Sequence, residues 1–126
     1  MTCRITIAAG EVSIDAELDD SPTALAIRDV LPIRGRAQLW GEEIYFEIPV
    51  DLGPAPDARA DVAVGELGYW PPGRALCVFF GPTPASGDDQ PRAASPVNIV
   101  GRVDGDATAF RAVTAGTNVV VKRAAS

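Results

Sequence analysis

The chain has 126 residues, room for one domain with a real core, since folding at this size buries about two-thirds of the surface an unfolded chain exposes. Eleven Lys and Arg stand against seventeen Asp and Glu, a net charge of -6 that repels nucleic-acid backbones and anionic lipid and leaves no basic stripe to overcome the repulsion. Histidine is absent, which removes Ser-His-Asp and Cys-His catalysis, HExxH zinc sites and a histidine base near neutral pH, and two cysteines alone make no closed zinc site.

The first twenty residues alternate with period two. Cys3, Ile5 and Ile7 share one face, the chain turns at Ala9-Gly10-Glu11, and Val12, Ile14, Ala16 and Leu18 follow, which predicts a hairpin with one wet face. The start, MTCRITIAAG, lacks the charged head and long apolar stretch of a signal peptide, and the longest apolar run, Ala75 to Phe80, is far short of a membrane span. A cytoplasmic protein is the expectation. Ser21-Pro22 supplies a helix cap and a first-turn proline, and Ala24, Ile27 and Leu31 then recur at helical spacing until Pro32.

Arg36 to Trp40 and Glu43 to Pro49 read as a second hairpin around Gly41-Glu42, with Ile44, Phe46 and Ile48 on one face and Glu43, Tyr45 and Glu47 on the other. The loop DLGPAPDAR follows, then Val62, Val64 and Gly65 lead into the strand LGYWPPG, ended by its two prolines. ALCVFF is apolar on both faces, as a central strand covered on each side would be. From Gly81 to Pro96 no large apolar side chain occurs, and four prolines stiffen this loop. VNIVGRV is read as a strand, ATAFRAV as a helical turn or two around Phe110, and TNVVVKR as the closing strand. Seven or eight strands with two short helices over residues 1–126 predict a mostly β single domain, a closed or nearly closed barrel without exposed edges.

Three stretches carry a resemblance. AQLWGEEIYFEIP, VAVGELGYWPPGRALCVFFGPTP and PRAASPVNIVGRV together resemble a small prokaryotic family with a cyclophilin-like barrel, described as a domain of unknown function. The resemblance runs over nearly the whole chain and implies an eight-stranded barrel closed at its ends by short helices. True cyclophilins, the peptidyl-prolyl isomerases, use a catalytic Arg with a groove that includes a Trp and a His. Those motifs do not align onto this sequence, so the resemblance implies the fold and not the activity.

Candidate chemistry is sparse. Trp40, Tyr45, Trp70, Phe79 and Phe80 are read first as barrel filling, but Tyr45 shares a strand face with two carboxylates and Trp70 precedes the rigid Pro71-Pro72-Gly73 turn, so both could line a groove with a polar rim. Glu42, Glu43 and Glu47 form either a solvated face or, if burial separates their pKa values, an acid-base pair. Arg92 is the only cation between Phe79 and Val100; it either pairs with Asp88 or Asp89 to hold the loop or grips a ligand carboxylate or peptide carbonyl. Thr83, Ser86, Ser95 and Asn98 offer hydroxyl and amide groups that also build turns. Cys3 and Cys77 are read as reduced core residues, a disulfide being the alternative, and Cys77 as inert. The only lysine, Lys122, leaves little room for a Ser-Lys pair, and GPTPASG lacks the GK[ST] ending of a phosphate-binding loop.

The leading expectation is a binding module without cofactor or metal: a groove lined by Tyr45, Trp70 and Phe80 and edged by Glu43, Thr83, Arg92 and Asn98, taking a small polar molecule or an extended peptide. The alternatives are a divergent enzyme, prolyl isomerase-like or a carboxylate acid-base catalyst, and a structural or interaction domain acting as a homo-oligomer or within a larger complex.

Overall fold

The computed structural model describes residues 2–124. Ten strands are strung on one antiparallel network: β1 (Cys3–Ala9), β2 (Val12–Leu18), β3 (Ile33–Arg36), β4 (Gln38–Leu39), β5 (Glu43–Glu47), β6 (Arg59–Asp61), β7 (Glu66–Trp70), β8 (Ala75–Phe79), β9 (Arg92–Val103) and β10 (Asn118–Arg123). Their order across the sheet is β3-β10-β1-β2-β9-β7-β8-β5-β4, with β6 attached to β9 alone. One α-helix, α1 (Pro22–Asp29), and 3-10 turns at Pro71–Gly73 and Ala107–Ala112 complete the set. None of the helices in the described residues is long and apolar enough to cross a membrane.

The first hairpin forms as its alternation dictates, in register from Cys3 opposite Leu18 to Ala9 opposite Val12, with Gly10 at φ +61° in the left-handed region the turn requires. Ile5, Ile7, Ala16 and Leu18 face the core, while outward Arg4 meets Asp104 at 2.9 Å. Helix α1 starts where Ser21 Oγ accepts from Ala24 N at 3.3 Å, and it buries Thr23, Ala24 and Ile27. Both cysteines are free and buried.

The chain builds two apolar clusters. The larger joins Ile5, Ile7, Leu18, Ile27, Phe46, Tyr69 and Val121 with Phe80, whose ring lies 6.2 Å from that of Phe110. The smaller lies on the other face of β8, where Cys77 and Phe79 pack with Val62, Ala93 and Val97. ALCVFF is thus a strand covered on both sides, as its unbroken apolarity predicts.

Three expectations change. The sheet is not closed: β3 and β4 are its two ends, although Ala37 alone separates them. Ala37 spends its backbone groups on the turn before β10, its N–H donating to Thr117 O and its carbonyl accepting from Gly116 N, both at 2.8 Å. The β3 end approaches β5 instead, where a Cβ on Gly35 would stand 3.0 Å from Cδ2 of Phe46. Second, part of the Pro-rich loop is a strand, β6. Third, β9 begins at Arg92, so Arg92 is a strand residue and the loop ends at Pro91. Arg59 pairs with Val97 and Asp61 with Arg92, so β9 bulges between them, which accommodates Pro96 and its missing N–H.

Candidate functional site

Strand alternation sends Glu43, Tyr45 and Glu47 to the outer face of β5, beside Cys77 and Phe79 of β8, with Tyr45 opposite Cys77 and Glu43 opposite Phe79. On an isolated hairpin that face would be wet. Here the first half of β9 is laid over it. The register of β7 against β9 shifts between Leu67 and Gly68, and Gly68 admits the crossing, because a Cβ there would lie 2.9 Å from Val97 Cγ2.

Between the two layers is a cleft of about 170 Å³ lined by Trp40, Glu43, Tyr45, Trp70, Ala93, Ala94 and Val97. Trp40 follows β4, and its N–H donates to Glu43 O at 3.0 Å, which puts it beside Glu43 across the turn. The Trp70 ring is fixed from two sides. Its Nε1 donates to Ser95 Oγ at 2.7 Å, and Gly73 lies so close that a Cβ would be 2.7 Å from ring atoms Cε3 and Cζ3.

Glu43 belongs to this largely apolar lining with 6% of its surface exposed. Its Oε1 is buried with no hydrogen-bond partner, the sole such side-chain oxygen or nitrogen among the described residues. Burial pushes its carboxyl up to about 7, opposed in part by the neighbouring Cys77 thiol. Burial, with the neighbouring Glu43 charge, also pushes the Cys77 thiol well above its ordinary value, so this thiol is inert as a nucleophile. The second buried glutamate shows the contrast: Glu66 accepts from Arg59 Nη2 and from Ala63 N, both at 2.8 Å.

Of the seven residues singled out in the sequence, Glu43, Tyr45 and Trp70 come together in the cleft, and the other four lie elsewhere. Phe80 points into the main core. Thr83 is buried and holds the loop, its hydroxyl donating to Arg92 O and its N–H donating to Ser86 Oγ at 2.9 Å. Arg92 pairs with Asp61 of β6, not with Asp88 or Asp89, and borders a separate, polar depression. Asn98 is 2% exposed and acts as a tie: Oδ1 accepts from Ala55 N at 2.8 Å, and Nδ2 donates to Thr23 Oγ1 and Gly53 O at 3.1 Å. Nor do the acidic residues form a pair, for Glu42 binds Arg111 at 2.6 Å and Glu47 binds Arg74 at 3.3 Å, away from Glu43.

Trp40, Ala93, Ala94 and Val97 were not singled out as lining. A signal for Trp40 existed, because the register of a hairpin turning at Gly41-Glu42 sets Trp40 beside Glu43. None existed for Ala93, Ala94 or Val97, whose place depends on the long-range crossing of β9.

The chain belongs to the cyclophilin-like family, whose model matches residues 3–122. A hypothetical protein from Archaeoglobus fulgidus, known from its solution structure, is similar to it at 38% identity with a TM-score of 0.81, over 97% of this chain and 95% of that one. No curated protein matches the chain.

Proposed function

We propose that the cleft beside Glu43 is a binding site for a small molecule, or for a single side chain of an extended peptide, with an apolar body and one polar group that engages the Glu43 carboxyl. The observation that carries this reading is the buried, unpartnered Glu43 oxygen among aromatic side chains. Folding leaves such a group at a cost of about 1–3 kcal/mol, which a ligand donor would recover. Aromatic walls with few polar groups are the usual make-up of a ligand site, and about 170 Å³ suits a head group rather than a large molecule.

A fragment screen followed by intrinsic fluorescence tests it, because both tryptophans of the chain, Trp40 and Trp70, line the cleft. Fragments that bind are expected to change the emission and to lose affinity in Glu43→Gln. They are also expected to lose affinity in Ala94→Phe, which fills the cleft from an exposed position. Hits that bind both variants as they bind the parent would overturn the reading.

The carboxyl at about 7 favours a second reading, an enzyme in which Glu43 alone moves a proton near neutral pH. It predicts turnover with a pH profile centred near 7 and lost in Glu43→Gln. An isomerase centred on Arg92 has less support, since that guanidinium is engaged by Asp61 outside the cleft; unchanged proline-peptide isomerisation in Arg92→Ala would remove it.

A further inference from the structure

If the cleft is a ligand site, its lining also sets the charge of the ligand. Glu43 is the one ionisable carboxyl there, and the lining has neither Arg nor Lys. Three arginines adjoining lining residues or their neighbours in the chain are paired: Arg74 by Glu47, Arg92 by Asp61 and Arg111 by Glu42. The fold neutralises its other buried glutamate with a cation, Arg59 on Glu66, and supplies none to Glu43. The aromatic walls add the same preference. With its indole N–H committed to Ser95, Trp70 offers the cleft no free donor, and no two of the rings of Trp40, Tyr45 and Trp70 stack on each other among the described residues. Indole and phenol faces attract cations, most strongly where water is displaced.

We infer that the cleft takes an organic cation, an ammonium or amidinium group on an apolar stem, with its charge against the Glu43 carboxylate and its stem against Trp40, Tyr45 and Trp70. This rests on the reading of the cleft as a ligand site and narrows it to one ligand class. A neutral amide or alcohol can donate to the orphaned oxygen in either protonation state but brings no charge to offset an ionised Glu43. A cation supplies that charge, and its binding expels the proton that Glu43 otherwise holds.

The groups facing Glu43 leave this proton to Glu43 itself. From β5 there is Tyr45, from β8 the Cys77 thiol, which stays protonated, and from the turn Glu42, already paired with Arg111; β9 contributes Ala93, Ala94 and Val97.

The test titrates the intact protein with benzylammonium, its neutral counterpart benzyl alcohol, and benzoate, at pH 6 and pH 8, by tryptophan fluorescence and calorimetry. Benzylammonium is expected to bind at least tenfold more tightly than benzyl alcohol at pH 8. A carboxyl titrating at about 7 should weaken that binding about tenfold at pH 6, with the alcohol unchanged and benzoate weakest at pH 8. Glu43→Gln, checked for folding by circular dichroism, is expected to erase both the cation preference and its pH dependence. Benzyl alcohol binding as tightly as benzylammonium at pH 8 overturns the cation inference and leaves the cleft a ligand site. Binding by none of the three probes also overturns it, and the fragment screen then decides the broader reading separately.

Discussion

Glu43 couples stability to pH in a direction opposite to that of a salt-bridged acid. Its carboxyl titrates at about 7 in the fold against an ordinary 4.5, so between those values the unfolded chain gives up a proton that the native state keeps. The stabilising contribution is whole below pH 4.5 and is lost by pH 7, a difference of about 3 kcal/mol at about 1.4 kcal/mol per unit. Glu43→Gln is therefore expected to be more stable than the parent at pH 8 and to show little of this advantage at pH 4.5, as urea denaturation at the two pH values would report. Asn98 makes a different prediction. Asn98→Ala orphans Ala55 N, Gly53 O and a hydroxyl of Thr23, and is expected to cost about 2–3 kcal/mol by the same assay with probe binding in the cleft retained. At this scale the sequence showed which side chains had unusual company but not which company. Arg92 stood out as an isolated cation, yet its partner Asp61 is thirty-one residues away in a strand that the Pro-rich spelling concealed. Glu43 looked solvated because its strand alternates, and alternation reports only that two faces differ.

Among the elements, β9 and the Pro71–Gly73 turn decide whether the cleft exists. Gly73→Ala would push a methyl group to within 2.7 Å of the Trp70 ring, which Ser95 holds from its far side and which cannot retreat freely. The expected result is a shifted tryptophan emission and weaker probe binding, with a stability loss of about 1–3 kcal/mol typical of overpacking. Gly101 is stricter, since a Cβ there would lie 2.0 Å from Glu17 O, and Gly101→Ala is expected to break the pairing of β9 with β2. The first hairpin, the turn joining β4 to β5, α1 and the doubly buried β8 were readable because local periodicity and capping dictate them, while Arg36, expected in the second hairpin, ends the separate strand β3 paired with β10. Strand β6 and the first half of β9 were not. Their residues, RAD and RAASP, have no strand pattern of their own and acquire one only by pairing across a bulge with each other.

For the molecule as a whole, composition and periodicity gave the β architecture, while closure was over-read. A hydrogen-bonded barrel needs a last ladder that β3 and β4 do not make, and β3 instead packs Gly35 close to the Phe46 ring of β5. Amide hydrogen exchange should show this, with the unpaired amides of β3 and β4 exchanging far faster than those of β1 and β8, which are paired on both sides. Equal protection at the seam would mean that a ladder closes there in solution. The doubled layer over β8 has a thermodynamic consequence of its own. One continuous strand, β9, pairs with β2 and β7 in its second half and with β6 in its first, so the wall of the cleft is an extension of the main sheet rather than a lid. A ligand entering there has almost no chain to order. Its binding heat capacity should then match the small apolar area of the head group and its lining, without the large negative excess that accompanies coupled folding.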